Sequence, residues 1–153
     1  MIQPNVMVWI FFVVFQAGTG NKLTIGRNTV INGAKIWLGN GSELHIGDDC
    51  MLSYEIIIRT TDGHAIMDAT TGAILNNQRN ACVIGNHCWV GLRTIVNKNA
   101  QIPDNTIVAS GTVLTGRFSE THTVIAGNPG RVIKTGVVFS DKSIYALMHD
   151  SNQ

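Results

Sequence analysis

The chain has 153 residues, 44% of them hydrophobic and 14% charged, which suits one buried core and argues against a second independent domain. Eleven Lys and Arg stand against ten Asp and Glu, so the chain lacks the bulk positive field that nucleic acid or an anionic membrane recruits, and no nucleic-acid partner is expected. Three cysteines, Cys50, Cys82 and Cys88, are an odd number without paired spacing; they fit free thiols in a reducing compartment and predict a cytoplasmic protein.

The first element is the apolar run from Val6 to Phe15. Its ten residues are half of the roughly twenty that a spanning helix needs. The preceding Met1 to Asn5 carry none of the positive charge of a signal peptide, so neither a membrane segment nor a targeting segment is expected. Its β-branched and aromatic residues read instead as strands of a first coil.

Through residues 1–58 an aliphatic residue recurs at intervals of six with slips: Ile25 and Ile31, Leu38 and Leu44, then Ile46, Leu52 and Ile58. Insertions at bends would account for the slips. Trp37 reads as cover for a coil face or a subunit contact, and Met51, Met67 and Met148 as gap fillers.

Residues 59–82 break the period with turn residues and are expected to leave the body as a loop, the kind of segment that carries function more often than not.

Residues 83–134 are read as the C-terminal coils, and from Ile84 to Leu114 the period is strict. Ile84, Val90, Val96, Ile102, Val108 and Leu114 follow one another at six-residue steps, and Cys88, Thr94, Ala100, Thr106 and Thr112 stand four residues after the first five. Each hexapeptide thus offers one large and one small inward position. A period of six fits neither the 3.6 of a helix nor plain strand alternation, so short strands separated by regular bends, stacked coil on coil, are predicted. Asn99, Asn105 and Gly111, three residues after an aliphatic, tolerate a left-handed backbone; His87 and Arg93 at the same place are less comfortable. Residues 135–153 read as a cap containing a short helix from Ser143 to His149 that shields the last open coil.

From Leu23 to Lys134 the pattern resembles the hexapeptide repeat of the left-handed parallel β-helix acyltransferases. That resemblance implies a triangular coil of about 18 residues, the handedness, which departs from the right-handed rule for parallel crossovers, and a homotrimer with sites shared between subunits. The loop sequence Asp62-Gly-His-Ala-Ile-Met-Asp68 is similar to that of sugar and polysaccharide O-acetyltransferases in this family, which implies His64 as general base. By the same likeness, Cys88-Trp-Val-Gly91 matches the coil receiving the pantetheine arm of acetyl coenzyme A. Trp89 would flank the thioester, Gly91 would line the same coenzyme A cleft, and the Leu92 amide N–H would face the developing oxyanion.

The stretches from Ala109 to Arg117 and from Ala126 to Lys134 resemble the closing coils, which implies coenzyme A contacts at the Ser110 backbone, Thr115, Arg131 and Lys134. Gly116 stands where relatives often carry Lys. Arg117 either restores that charge or is solvated surface. Asp62 and Asp68 in the loop, with Tyr54 and Glu55 near its base, are assigned to the acceptor, expected to be a sugar hydroxyl of a capsule, O-antigen or exopolysaccharide.

No metal is expected. His87 lies between Cys82 and Cys88 at a poor ligand spacing, and His45, His122 and His149 add no ligand set. The alternatives are an N-acetyltransferase of an amino sugar or small amine, a noncatalytic scaffold, and a surface-binding module. The outward residues Trp89, Ile95, Gln101, Ile107 and Val113 do not repeat one type, as a flat binding array would.

Overall fold

A computed structural model describes residues 1–8, 11–15, 19–78 and 80–149. Trp9 and Ile10 of the apolar run and the last four residues of the cap fall outside them. The chain begins with β1 (Met7–Val8), β2 (Phe11–Phe15), β3 (Lys22–Ile25), β4 (Val30–Ile31) and β5 (Ala34–Leu38). It continues through β6 (Glu43–Ile46), β7 (Met51–Leu52) and β8 (Ile56–Arg59) to the excursion. After it come β9 (Ala81–Ile84), β10 (Trp89–Val90), β11 (Ile95–Val96), β12 (Gln101–Ile102), β13 (Thr106–Val108) and β14 (Val113–Leu114). The chain closes with β15 (Thr123–Ala126), β16 (Arg131–Thr135) and helix α1 (Ile144–His149).

From β3 to β14, successive strands visit three sheets in strict rotation, so each sheet is one face of a prism. Face A holds β3, β6, β9 and β12; face B runs from β1 through β4, β7, β10, β13 and β15 to β16; face C holds β2, β5, β8, β11 and β14. Among the described strands of the prism, every pairing is parallel except that of β15 with β16.

The repeat is a rule of vertical stacking. On face A, Ile25, Ile46, Ile84 and Ile102 share one register; on face C, Ile36, Ile58, Val96 and Leu114 do the same. All of these side chains are buried, and full burial of each is worth about 1.5–3 kcal/mol. The slip in the first half has a specific cause. Ile36, not Leu38, is the equivalent of Ile58, because β5 is a five-residue strand whose Leu38 reaches beyond the repeat to pair with Phe15.

The small inward positions have polar roles as well. The hydroxyls of Thr94, Thr106, Thr112 and Thr123 donate to the carbonyls of Gly91, Pro103, Ala109 and Glu120, each three residues earlier. A corner carbonyl is thereby satisfied from within its own turn. Cys50, Cys82 and Cys88 are buried free thiols in the same core.

The corners carry left-handed residues where the spacing places them. Asn99, Asn105 and Gly111 have positive φ, and so do His87 (51°) and Arg93 (59°). The corner geometry overrides the preference of these last two residues.

Two expectations are corrected. The excursion is narrower than residues 59–82, because Arg59 still belongs to β8, Thr60 and Thr61 are buried in the prism corner, and Ala81 and Cys82 already pair on face A. Helix α1 does not shield the last coil: it buries no residue. The edge of β15 is covered by β16, which folds back antiparallel along it. Residues 116–118 and 127–130 hydrogen-bond to Gln101 and Val113 and so cover the other two faces. Among the described residues, no helix is long and apolar enough to cross a membrane.

Candidate active site

The excursion leaves the prism at the corner where face C hands over to face A. Gly63 has φ +81°, a conformation open to glycine at no steric cost, and turns the chain outward directly before His64. Beyond it lies a small hairpin. Asp68 N donates to Ala73 O, Leu75 N donates to Ile66 O, and Met67 and Ile74 form an antiparallel bridge. The Asp68 carboxylate organises its tip, since Oδ1 accepts from Thr70 N, Thr71 N and Thr71 Oγ1. These bonds hold the Asp68 carboxyl below its ordinary range.

At the root of the loop, Asp62 Oδ2 accepts from Asn76 Nδ2 at 2.8 Å and pairs with the Lys98 ammonium. Asn76 first and Lys98 second keep the Asp62 carboxyl charged to lower pH than an ordinary aspartate. Asn76 Nδ2 also donates to His64 O at 2.9 Å, and Asn76 Oδ1 accepts from Ile66 N at 2.8 Å. His64 itself is exposed. Beside this root Arg59, Thr61, Asp62, Asn97, Lys98 and Thr115 line a cavity of about 300 Å³.

The second group of expected site residues lies across face C, around the corner where face B hands over to it. Trp89, on β10, is 42% exposed and stands over face B between Met51 and Ile107. Its ring lies 6.3 Å from that of Phe139, whose ring stacks on His87 at 4.4 Å. Gly91 and Leu92 follow at the turn; Leu92 is 38% exposed and its carbonyl accepts from Gly111 N. Tyr54 and Glu55 sit one coil earlier at this same corner and Ser110 one coil later. Glu55 pairs with Arg93 at 2.7 Å, a contact that depresses the Glu55 carboxyl. Between Phe12, Lys35, Tyr54, Arg93 and Ile95 an apolar groove of about 760 Å³ runs along face C.

One prism therefore brings Thr115 to the His64 corner and Tyr54, Glu55, Gly91 and Ser110 to the Leu92 corner, and it does not bring the two groups together. Arg117 is exposed above face A, bridged to Gln101. Arg131 and Lys134 lie on β16, exposed at the end of face B, with Arg131 Nη1 donating to Gly130 O. Among the described residues no three His, Cys, Asp or Glu side chains gather as a metal site.

Asn76, Lys98 and Arg59 escape a reading of the sequence. Asp68-Ala-Thr-Thr-Gly72 between Ile66-Met67 and Ile74-Leu75 is a hairpin signal, and it would have set residue 76 opposite residues 64 to 66. No comparable signal points to Lys98.

No family model matches the chain. It is 35% identical over 129 residues to a polysialic acid O-acetyltransferase of Neisseria meningitidis, covering 84% of this chain and 60% of that one. It is 26% identical over 137 residues to a polysialic acid O-acetyltransferase of Escherichia coli O1:K1, covering 90% and 44%. The chain thus spans less than two thirds of these curated relatives. The crystal structure of a polysialic acid O-acetyltransferase superposes with a TM-score of 0.83 at 31% identity, over 97% of this chain and 72% of that one.

Proposed function

The chain belongs to the hexapeptide-repeat acyltransferase family, and from that premise we propose that it transfers the acetyl group of acetyl coenzyme A to a hydroxyl of a capsule, O-antigen or exopolysaccharide sugar. The observation that carries the reading is the division of the site between two corners. The His64 loop and the Trp89 to Leu92 turn stand at opposite edges of face C. Copies arranged with their C faces toward a threefold axis would bring the His64 corner of one against the Leu92 corner of the next. The outward side chains Phe12, Val14 and Trp37, with the apolar groove beside them, suit that contact. The active unit is accordingly a homotrimer of left-handed β-helices with three shared clefts.

In each cleft His64 Nε2 or Nδ1 takes the proton of the acceptor hydroxyl as its oxygen attacks the thioester carbon. The tetrahedral oxyanion is held by the Leu92 N–H of the neighbouring copy. Collapse breaks the carbon–sulfur bond, and His64 returns the proton to the coenzyme A thiolate. Trp89 and Gly91 flank the pantetheine, while the Ser110 backbone, Thr115, Arg117, Arg131 and Lys134 face the nucleotide and phosphates. Tyr54 and Glu55 lie nearest the acceptor. Asp62 and Asp68 serve it at one remove, by shaping the loop. All three thiols are buried, which supports direct transfer without an acyl-enzyme and a reducing, cytoplasmic setting.

The test is thiol release from acetyl coenzyme A with oligomeric sialic acid, neutral sugars and small amines as acceptors, comparing the native chain with His64→Ala. Loss of the base should slow transfer about 10²- to 10⁴-fold. Equal turnover in the variant would remove His64 from the mechanism, and a stable active monomer in light scattering would remove the shared cleft.

A further inference from the structure

The amide of Asn76 makes three hydrogen bonds, to residues 62, 64 and 66, alternate positions along one side of the loop. It donates to the Asp62 carboxylate and the His64 carbonyl and accepts from the Ile66 N–H. The last two contacts take the places that the Leu75 carbonyl and the Asn77 N–H, flanking residue 76, would fill if the antiparallel ladder continued. The hairpin's own ladder ends at Leu75 N to Ile66 O, so from there toward the prism the side chain of Asn76 stands in for the missing second strand. The far end of the same array is fixed by the Lys98 ammonium, which rises from the next coil's turn to Asp62. A line of polar contacts thus runs from the rigid prism through Lys98, Asp62 and Asn76 to the backbone of His64.

Without that line the connection would be soft. Gly63 precedes His64, Ala65 follows it, and residues 63 to 67 are all exposed, so no packing holds the backbone of the base. We propose that Asn76 is the positioning residue of the active site, fixing the His64 backbone so that its imidazole reaches the neighbouring copy's cleft. This rests on the reading of His64 as the base. Asn76 touches neither substrate, and it acts only through the segment it grips.

The experiment pairs kinetics with amide exchange on the full chain. With oligomeric sialic acid as acceptor, Asn76→Ala should lower kcat roughly ten- to a hundredfold, the scale of a displacement near 1 Å, while KM for acetyl coenzyme A and the melting temperature hold. The double variant His64→Ala/Asn76→Ala should be no slower than His64→Ala alone, because a positioning residue has nothing left to position. Asn76→Asp keeps the acceptor for Ile66 N but loses both donors, and should be as slow as Asn76→Ala. Independently of any acceptor, the Ile66 amide should exchange at least tenfold faster in Asn76→Ala. Native kcat in Asn76→Ala, multiplied losses in the double variant, or unchanged Ile66 exchange would each overturn the proposal. Native turnover in His64→Ala would instead overturn the assignment of the base, and the exchange measurement would still decide whether Asn76 orders the loop.

Discussion

Substituting Gly91 by alanine tests whether the spacing between coils controls the Leu92 amide. A Cβ added at Gly91 would stand 2.7 Å from Ser110 N, 2.8 Å from Val108 O and 3.0 Å from Ala109 C, all backbone atoms of the next coil. Ordinary contact begins near 3.4 Å, so the two coils must part by roughly 0.7 Å at this corner, an overpacking of the kind that costs about 1–3 kcal/mol. The Gly91 N–H to Val108 O bond, 2.8 Å long, stretches with it. A loss near 2 kcal/mol lowers the melting temperature of a chain this size by about 4–8 °C, which circular dichroism reads directly. The same displacement moves the neighbouring Leu92 amide and should slow transfer by about tenfold or more. Two other glycines isolate the cause. Gly116 has open space where a Cβ would stand and no positive φ, so Gly116→Ala should be neutral or stabilise by up to about 1 kcal/mol. Gly111 has open space but φ +74°, and Gly111→Ala should cost about 1–2 kcal/mol through backbone strain alone. A Gly91→Ala protein that melts with the native one would refute the control of this corner by coil contact.

Burial pushes the Cys82 thiol up to about 11, and Cys50 and Cys88 are equally enclosed, so a disulfide reagent at pH 8 should label no thiol in the native protein and three after guanidinium; rapid native labelling would contradict the packed core. Asp48, Glu55, Asp62 and Asp68 all have carboxyls depressed by their partners. Their stabilising contribution is therefore complete above the unfolded carboxylate range near 4 and disappears as pH falls through the lower folded values. The protection of the amides of residues 62–76, relative to their intrinsic exchange at each pH, should fall below about pH 4, and loop protection that is flat down to pH 2 would count against the Asp62 and Asp68 contacts. Glu55→Gln breaks an exposed, solvent-screened pair with Arg93 and should leave the melting temperature close to native; its larger effect should fall on KM for the acceptor, and an unchanged KM would withdraw Glu55 from the acceptor site.

The strict repeat after Ile84 was legible because each six-residue step lands one side chain inside the next face and every third step returns to the same stack, and nothing tertiary disturbs it. Leu38 misled because a longer strand on face C supplies extra inward positions that the period alone cannot rank. The helix from Ser143 was readable from its local pattern, with Ser143 Oγ accepting from Ala146 N. The cover over β15 was not, because β16 is defined by a partner and lies outside the repeat. In the loop, His64 was singled out by the resemblance of its Asp-Gly-His sequence to the family's loop. Lys98 matters only through a distant partner, Asp62, a pairing that no single segment of sequence displays, whereas the placement of Asn76 opposite residues 64 to 66 lay in the hairpin signal of the loop itself.

The register of the prism passes beneath the excursion undisturbed: Ile58 stacks on Val96 and Ile46 on Ile84 as though residues 62–80 were an ordinary bend. The two ends of the excursion are therefore held at a separation that its length does not alter. Closing a longer segment over a fixed gap adds only about 0.6 kcal/mol for each doubling of length. Such a body is a chassis with an exchangeable fitting. Loops of other lengths and chemistries can be grafted at this corner with little thermodynamic penalty to the coils below, provided that they bring their own internal grip and a carboxylate for Lys98. The excursion can then drift, or be redesigned, without disturbing the coils that carry Tyr54 and Glu55.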